Sequence, residues 1–458
     1  MFIGRINEIN ILKKAFENPG HHSIVYGNRR IGKTTLVTKV GKDSGYKFIS
    51  FECLKSSLQN NQRALERTLF DEGIFSTEMT FKDLFSLFSY LNNLKTRIIL
   101  LIDEYPYLYY KNDKNDVDSL FQGIFEQASN NLNIVLSGSH IGMMKDLMKQ
   151  VNPLFGRVDS IIHLSELNYV EASEFYKDLS NYEKVEFYAV FGGSPYILRQ
   201  LNPKLSLKEN ICNTFLNSSS AIYSFVSEGY TTDLTTKDSA NQLFEAIGNS
   251  KIRYNKIEEL LDYDHNGLLS KQLNVLTEME FVGKNIPINK IGDKKKTTYF
   301  IKNNALRFYF TYLYGRQNIL SLIGSEAFYD KYIKQSLTTF ISLRFKEIAK
   351  TYFSLLIKQG KLDDVYNIGT YYYDDSLTKT NGEFDVALEV SEGYEIIEVK
   401  LLKDQMKQSD IAREIEQILK ISEIKVKNFG FVSINGFEDK VHGYKYLIEG
   451  DDLYFKKG

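Results

Sequence analysis

Cysteine is scarce in this chain: among 458 residues there are only Cys53 and Cys212. Two thiols make no disulfide framework. Neither they nor the six histidines fall into a zinc-ligand spacing such as HExxH, so a disulfide-rich secreted fold and a zinc scaffold are excluded and a reducing, cytoplasmic setting is expected. His163, inside Ile161-Ile162-His163-Leu164, reads as structural. Long apolar runs are missing too. The stretch from Ile98 to Ile102 is closed by Arg97 and Asp103, far short of the roughly 20 apolar residues of a membrane span. The start, Met1-Phe2-Ile3-Gly4-Arg5 with Glu8 close behind, carries no signal-peptide pattern. Nor is there an excess of one charge. With a net charge of −1, any nucleic-acid surface has to be a local patch.

What remains is 43% hydrophobic and 25% charged, the balance of a globular protein long enough for about two to four domains. The chemistry begins at Ser23-Ile24-Val25-Tyr26, a short apolar strand running into Gly27-Asn28-Arg29-Arg30-Ile31-Gly32-Lys33-Thr34-Thr35. That segment fits GxxxxGK(S/T). Its glycines let backbone N–H groups face phosphates, Lys33 reaches the β- and γ-phosphates, and the Thr34 hydroxyl binds Mg²⁺. A helix over Thr34–Val40 turns its positive end toward the same anion.

A second apolar strand, Arg97 to Ile102, ends in Asp103-Glu104. It is apolar throughout, as strands buried in parallel sheets are. Asp103 is placed to hold Mg²⁺ through water, and Glu104 to orient and polarise the attacking water. Acids at the carboxyl end of a central strand stand where α/β sheets hold ligands. A third strand, Asn133 to Ser137, leads to Gly138-Ser139; Ser139 is a γ-phosphate sensor or an ordinary turn residue. Arg157, in Pro153-Leu154-Phe155-Gly156-Arg157 before the strand Ser160–Leu164, is an arginine finger acting in cis or on a neighbouring subunit, or a surface arginine.

These segments, with Phe2-Ile3-Gly4-Arg5 and the later Phe191-Gly192-Gly193-Ser194-Pro195-Tyr196, resemble a family of archaeal and bacterial AAA-type ATPases related to the STAND signalling NTPases. The resemblance implies an α/β fold with four parts. These are a P-loop NTPase of AAA/ASCE type over 1–166, a helical lid over 167–235, a winged helix over 236–318, and a C-terminal α/β restriction-endonuclease-like domain over 319–458. It implies ATP and Mg²⁺ as cofactors, DNA or RNA as partner of the last two parts, and a homo-oligomer.

The residues read consistently with that plan. Between Tyr169 and Val226 the apolar spacing is helical, broken at Asn202-Pro203. Three short helices follow, over Asn241–Ile247, Ile257–Leu261 and Ser270–Leu276, then a hairpin tipped by Asp293-Lys294-Lys295-Lys296. Lys271 and Gln272 would lie on a recognition helix and the lysines on a wing. The segment Gly248–Lys302 holds ten Lys/Arg against seven Asp/Glu, a surplus of three. That is thin for DNA binding, so domain packing is an equal reading.

Farther on, Phe384, Val386, Leu388 and Val390 alternate with Glu383, Asp385, Ala387 and Glu389, and Ile397, Val399 and Leu401 alternate with Glu398 and Lys400. A turn at Glu392-Gly393 would pair Ser391 with Tyr394 and set Asp385 opposite Lys400 and Ala387 opposite Glu398. Asp385 and Glu398 on one face would hold Mg²⁺, and Lys400 would activate water. The segment resembles the D…ExK arrangement of PD-(D/E)xK nucleases. Such residues also populate the exposed face of any amphipathic hairpin. Arg344-Phe345-Lys346-Glu347-Ile348 resembles the family's Phe-Glu-Glu helix segment, with Lys346 in place of the first acid. Two outputs follow: cleavage of nucleic acid by this end, or an inert C-terminal fold in a nucleotide-switched binding module.

Overall fold

The run Ile98–Ile102 has no polar residue to turn toward water. In the computed structural model it is an inner strand of a parallel sheet, buried along its whole length. The structure describes residues 2–127, 131–230, 237–248, 251–262, 267–375, 379–421, 424–439 and 441–455. The expected boundary at 235/236 lies outside them. The chain divides into two compact units, Met1–Glu166 and Leu167–Gly458.

The first unit runs α1 (Ile6–Glu17), β1 (Ser23–Gly27), α2 (Lys33–Asp43), β2 (Lys47–Glu52), α3 (Leu58–Asp71), α4 (Leu84–Asn92), β3 (Ile98–Asp103), α5 (Lys114–Gln127), β4 (Leu132–Gly138), α6 (Ile141–Asp146) and β5 (Ser160–Leu164). Its sheet order is β2-β3-β4-β1-β5, all parallel. Because β4 lies between β1 and β3, the carboxyl ends of all three meet side by side. Alternate residues feed two apolar layers. Val25, Ile99, Leu101 and Val135 face one cluster with Leu36 and Val37 of α2. Ile24, Leu100, Ile134 and Leu136 face another, with Leu87 and Phe121.

His22, just ahead of β1, is 3% exposed, stacks on Phe125 at 4.1 Å and accepts the Ile134 N–H at 3.3 Å. Burial lowers its pKa from 6.5 to about 4, against the pull of Asp159, with His21 adding to the lowering. The native state therefore binds fewer protons than the unfolded chain between those values, so its contribution is complete above 6.5 and is lost as pH falls toward 4. At about pH 5 the loss is about 2 kcal/mol relative to pH 7.5. His22→Gln is expected to melt with a smaller pH dependence over this range. Parallel pH dependence in the two proteins would remove His22 as the cause.

The second unit runs α7 (Tyr169–Ser173), α8 (Asn181–Phe191), α9 (Pro195–Leu198), α10 (Leu207–Asn213), α11 (Ala221–Ser224), α12 (Lys237–Ile247), β6 (Ile252–Arg253), α13 (Tyr254–Leu260), α14 (Leu268–Glu278), β7 (Val282–Asn285), β8 (Thr298–Ile301), α15 (Asn304–Tyr312), α16 (Gln317–Ile323), α17 (Ser325–Phe328), α18 (Lys334–Lys358), β9 (Val365–Asp375), β10 (Thr380–Val390), β11 (Gly393–Lys400), α19 (Gln408–Leu419), β12 (Val426–Ser433), β13 (Tyr446–Ile448) and α20 (Gly450–Leu453). One apolar core is shared from Leu167 through Phe244, Phe308 and Phe345 to Tyr454. A small sheet, β6-β8-β7, accompanies the three helices α12 to α14, with β6 between α12 and α13 and the other two strands after α14. A mixed sheet, β13-β12-β11-β10-β9, closes the unit. Val386, Leu388, Ile397 and Val399 pack in the same cluster as Phe345 and Phe353 of α18. Ala387 and Ile396 pack with Ile418 of α19.

The hairpin departs from expectation in two ways. Val390 pairs with Gly393 and Val386 with Ile397, so the turn is Ser391-Glu392, with Glu392 itself at φ 65°. The register is shifted by two from the expected one, placing Ile396 rather than Glu398 beside Ala387. An even shift keeps each side chain on its face. A bulge then breaks the alternation: Phe384 pairs with Tyr371 and Ala387 with Gly369, so Asp385 and Val386 both stand against Thr370. Phe384 consequently packs with Ala387 and Ile396, not with Val386 and Leu388. An extra residue on one strand swings the preceding side chain to the other face.

Candidate functional site

The loop between β1 and α2 is shaped by two glycines. A Cβ on Gly27 would stand 2.2 Å from the Leu164 carbonyl oxygen, so only glycine lets β1 run this close to β5. Gly32 takes φ 100° at the amino end of α2, a conformation side chains resist. Lys33 lies 5% exposed, its ammonium donating to the Gly27 and Asn28 carbonyls at 3.0 and 3.1 Å. The loop thus curls around its own lysine, and Arg29 donates to the Tyr107 hydroxyl at 2.7 Å.

Three strand ends complete the site. The Thr34 hydroxyl donates to Asp103 Oδ2 and the Ser137 hydroxyl to Asp103 Oδ1 at 2.6 Å. Both oxygens of Asp103 are therefore fixed, one of them toward the loop threonine. Glu104, at φ 50°, accepts from the Ser139 backbone N–H at 3.1 Å and hydroxyl at 2.9 Å. Cys53, at the end of β2, is buried, and burial together with Asp103 and Glu104 pushes its thiol pKa well up. This leaves it un-ionised. The hard oxygens of Thr34 and Asp103 suit Mg²⁺.

Sequence reasoning missed Ser137, a hydroxyl inside an apolar run and visible for that reason, and a carboxylate with no motif around it. Asp118 on α5 is fully buried; the Tyr105 and Tyr109 hydroxyls each donate to its Oδ1 at 2.8 Å and the Asn152 amide to its Oδ2 at 2.7 Å. Those tyrosines form the short 3₁₀ turn directly after Glu104.

Arg157 stands apart. It precedes β5, whose Ser160 pairs with Ser23 at the start of β1, which puts it at the amino ends of the strands, about 13 Å of strand length from the phosphate loop. It is ion-paired with Glu126 at 2.8 Å. A finger acting in cis is therefore ruled out by position.

The C-terminal acids are divided by the bulge. Asp385 is paired with Lys346 of α18 at 2.5 Å, whereas Glu398 contacts Lys400 at 3.0 Å and Lys400 contacts Glu414 of α19 at 3.1 Å. Burial raises the Glu398 pKa, opposed by Lys400. Among the described residues no group of three or more His, Cys, Asp or Glu is arranged to hold a metal ion. Asp385 and Glu398, each already facing an ammonium group, do not fit a Mg²⁺ site as they stand. Also among the described residues, no helix is long and apolar enough to cross a membrane.

Residues 2–201 match an ATPase domain family found predominantly in Archaea, and residues 309–415 match a family of archaeal and bacterial proteins of unknown function. An uncharacterized protein of Methanocaldococcus jannaschii, MJECL04, is 28% identical over 367 residues, 79% of each chain. The Walker-type ATPase PABY2304 of Pyrococcus abyssi superposes with a TM-score of 0.52 at 18% identity, covering 68% of this chain and 96% of that one. The ORC2 protein of Aeropyrum pernix gives 0.45 at 12% identity over 70% and 95%.

Proposed function

We propose, on the premise that residues 2–201 are an ATPase domain of the predominantly archaeal kind, that this protein is a Mg²⁺-dependent ATPase driving a C-terminal part that binds nucleic acid. The observation that carries the reading is the clamp on Asp103: two hydroxyls, from the phosphate loop and from β4, hold its two oxygens. Lys33 exchanges its two loop carbonyls for the β- and γ-phosphates. Thr34 and Asp103 would hold Mg²⁺, which when bound neutralises charge on the phosphate oxygens. Glu104 orients the attacking water and takes its proton, leaving Ser139 as it does so. Hydrolysis then resets the arrangement that nucleotide binding set up.

The pairing of Lys346 with Asp385 favours binding over cleavage at the C-terminal end. The helices α12 to α14 with β6-β8-β7 fit a winged helix, and this part supplies the nucleic-acid contacts. The test is to incubate wild type, Lys33→Ala and Glu398→Ala with ATP, Mg²⁺ or Mn²⁺, and labelled DNA and RNA. ATP turnover lost only in Lys33→Ala, with no strand cut, is the expected result. Cleavage that disappears in Glu398→Ala would instead make this a nuclease.

A further inference from the structure

Two clefts in the second unit are linked by a short chain of side-chain contacts, and their charge is unlike that of the chain as a whole. The first, about 450 Å³, lies between the start of α13 and the loop before β8. Five cations (Arg253, Lys256 and Lys294 to Lys296) line it against two acids, Glu259 and Asp293. Lys294 and Lys295 are exposed. The second cleft, about 360 Å³, is lined by Lys251, Arg307, Arg344 and Lys346 against Glu347, Glu383 and Asp385. The excess is three positive charges in the first and one in the second, on a protein of net charge −1.

Tyr372, buried and in neither lining, connects them through its contacts. Lys296 lies over its ring at 4.0 Å and Arg253 at 5.9 Å. Its strand partner is Glu383, which contacts Lys251 at 3.5 Å, and Lys251 also contacts Glu347 at 3.3 Å. In the second cleft each acid has a lysine beside it, and Arg307 and Arg344, 6% and 4% exposed, add two further cations near Glu347, with Arg344 donating to the Ile301 carbonyl at 2.6 Å. Burial and the neighbouring Arg344 hold the Arg307 pKa well down, opposed by Glu347. By contrast, the outer face of α14, where a recognition helix would read bases, exposes Leu268, Lys271, Asn274, Val275 and Glu278. It carries no excess positive charge.

We infer that the two clefts form one track for the sugar–phosphate backbone of a single nucleic-acid strand, running from the lysines of the 293–296 loop past Tyr372 to Arg307, Arg344 and Lys346. The track rests on the reading of this unit as nucleic-acid-directed and gives that reading a location other than the recognition helix. Clefts of this size admit one strand rather than a duplex. Lys346, beside Asp385, supplies the cation at the inner end, so binding needs no divalent ion.

The test is binding of a fluorescent single-stranded oligonucleotide to the full-length protein in EDTA, without ATP, between about 50 and 200 mM salt. The Lys294→Ala/Lys295→Ala double variant, altered only at an exposed loop, is expected to lower the salt slope by about 1.4, or 0.7 per phosphate contact. That makes the salt-induced loss of affinity about sevenfold smaller over this range. Lys251→Ala should flatten the slope too, and Lys271→Ala should leave it unchanged. No binding by wild type, an unchanged slope in the double variant, or an equal effect of Lys271→Ala would overturn the track. ATP turnover measured on the same proteins separates the two readings, since its absence in wild type alongside intact binding counts against the ATPase alone.

Discussion

Glu104→Gln is expected to turn over ATP about 10²–10⁴-fold more slowly than wild type while still binding it. The side chain keeps its length, and its amide oxygen still accepts from the Ser139 N–H and hydroxyl that hold Glu104 in place. What is lost is a group able to take the proton of the attacking water. Lys33→Ala is expected to give the contrasting result, losing affinity along with turnover, because on the proposed reading its ammonium binds the phosphates. Ser139→Ala frees Glu104 without removing it and should change turnover far less. Single-turnover kinetics beside nucleotide titration distinguishes the three. Full activity in Glu104→Gln would show that another group handles the proton.

The second large effect is on stability. Asp118→Ala leaves the buried Tyr105 hydroxyl, the part-buried Tyr109 hydroxyl and the Asn152 amide without the carboxylate they now share. Each of the two buried donors left unsatisfied costs about 1–3 kcal/mol and the Tyr109 hydroxyl less, so the total is about 3 kcal/mol. For a domain of this size that lowers Tm by roughly 10 °C. Tyr105→Phe or Tyr109→Phe removes one donor and leaves its acceptor still served, and should cost about 1 kcal/mol. Because Tyr105 follows Glu104 directly, Asp118→Ala is also expected to slow turnover at temperatures where it stays folded. A melting shift of a degree or two would mean that water or a rearranged side chain satisfies the phenols.

Much of the first unit was legible because its signals are local. A glycine-rich loop needs particular residues at fixed spacing, and a strand buried on both faces is apolar throughout. That Gly27 to Thr35, Asp103 and Glu104 stand at strand ends was therefore readable without coordinates, and the fold class with it. Which of its readings Arg157 takes could not be decided, since nothing in Phe155-Gly156-Arg157 tells which end of a sheet it will occupy; that follows from the direction in which β5 pairs with β1, and it removes only the finger in cis. Asp118 was invisible for a related reason: its partners, Tyr105 and Tyr109 from one turn and Asn152 from another segment, are gathered from outside α5. In the hairpin, period-two alternation gave the strands and their faces, but a single inserted residue at Asp385–Val386 defeats alternation from there on. Lys346 stood out as a departure in sequence. That its ammonium would lie against Asp385 could be known only from how α18 crosses the sheet.

One feature of the second unit bears on how the protein behaves in company. β9 is an edge strand of eleven residues carrying three successive tyrosines, Tyr371 to Tyr373, and its outer backbone groups would otherwise be open. The Asn289 side chain pairs with both the N–H and the carbonyl of Tyr372, at 3.0 and 2.7 Å, and Ile288 packs beside Tyr371 and Phe384. A side-chain amide here imitates the neighbouring strand that is not there. An exposed edge of this length and aromatic content invites pairing with another chain, and proteins stopper such edges with loops or charge. Ile288, Asn289 and Lys296 are that stopper, so they also guard against edge-to-edge aggregation at high concentration.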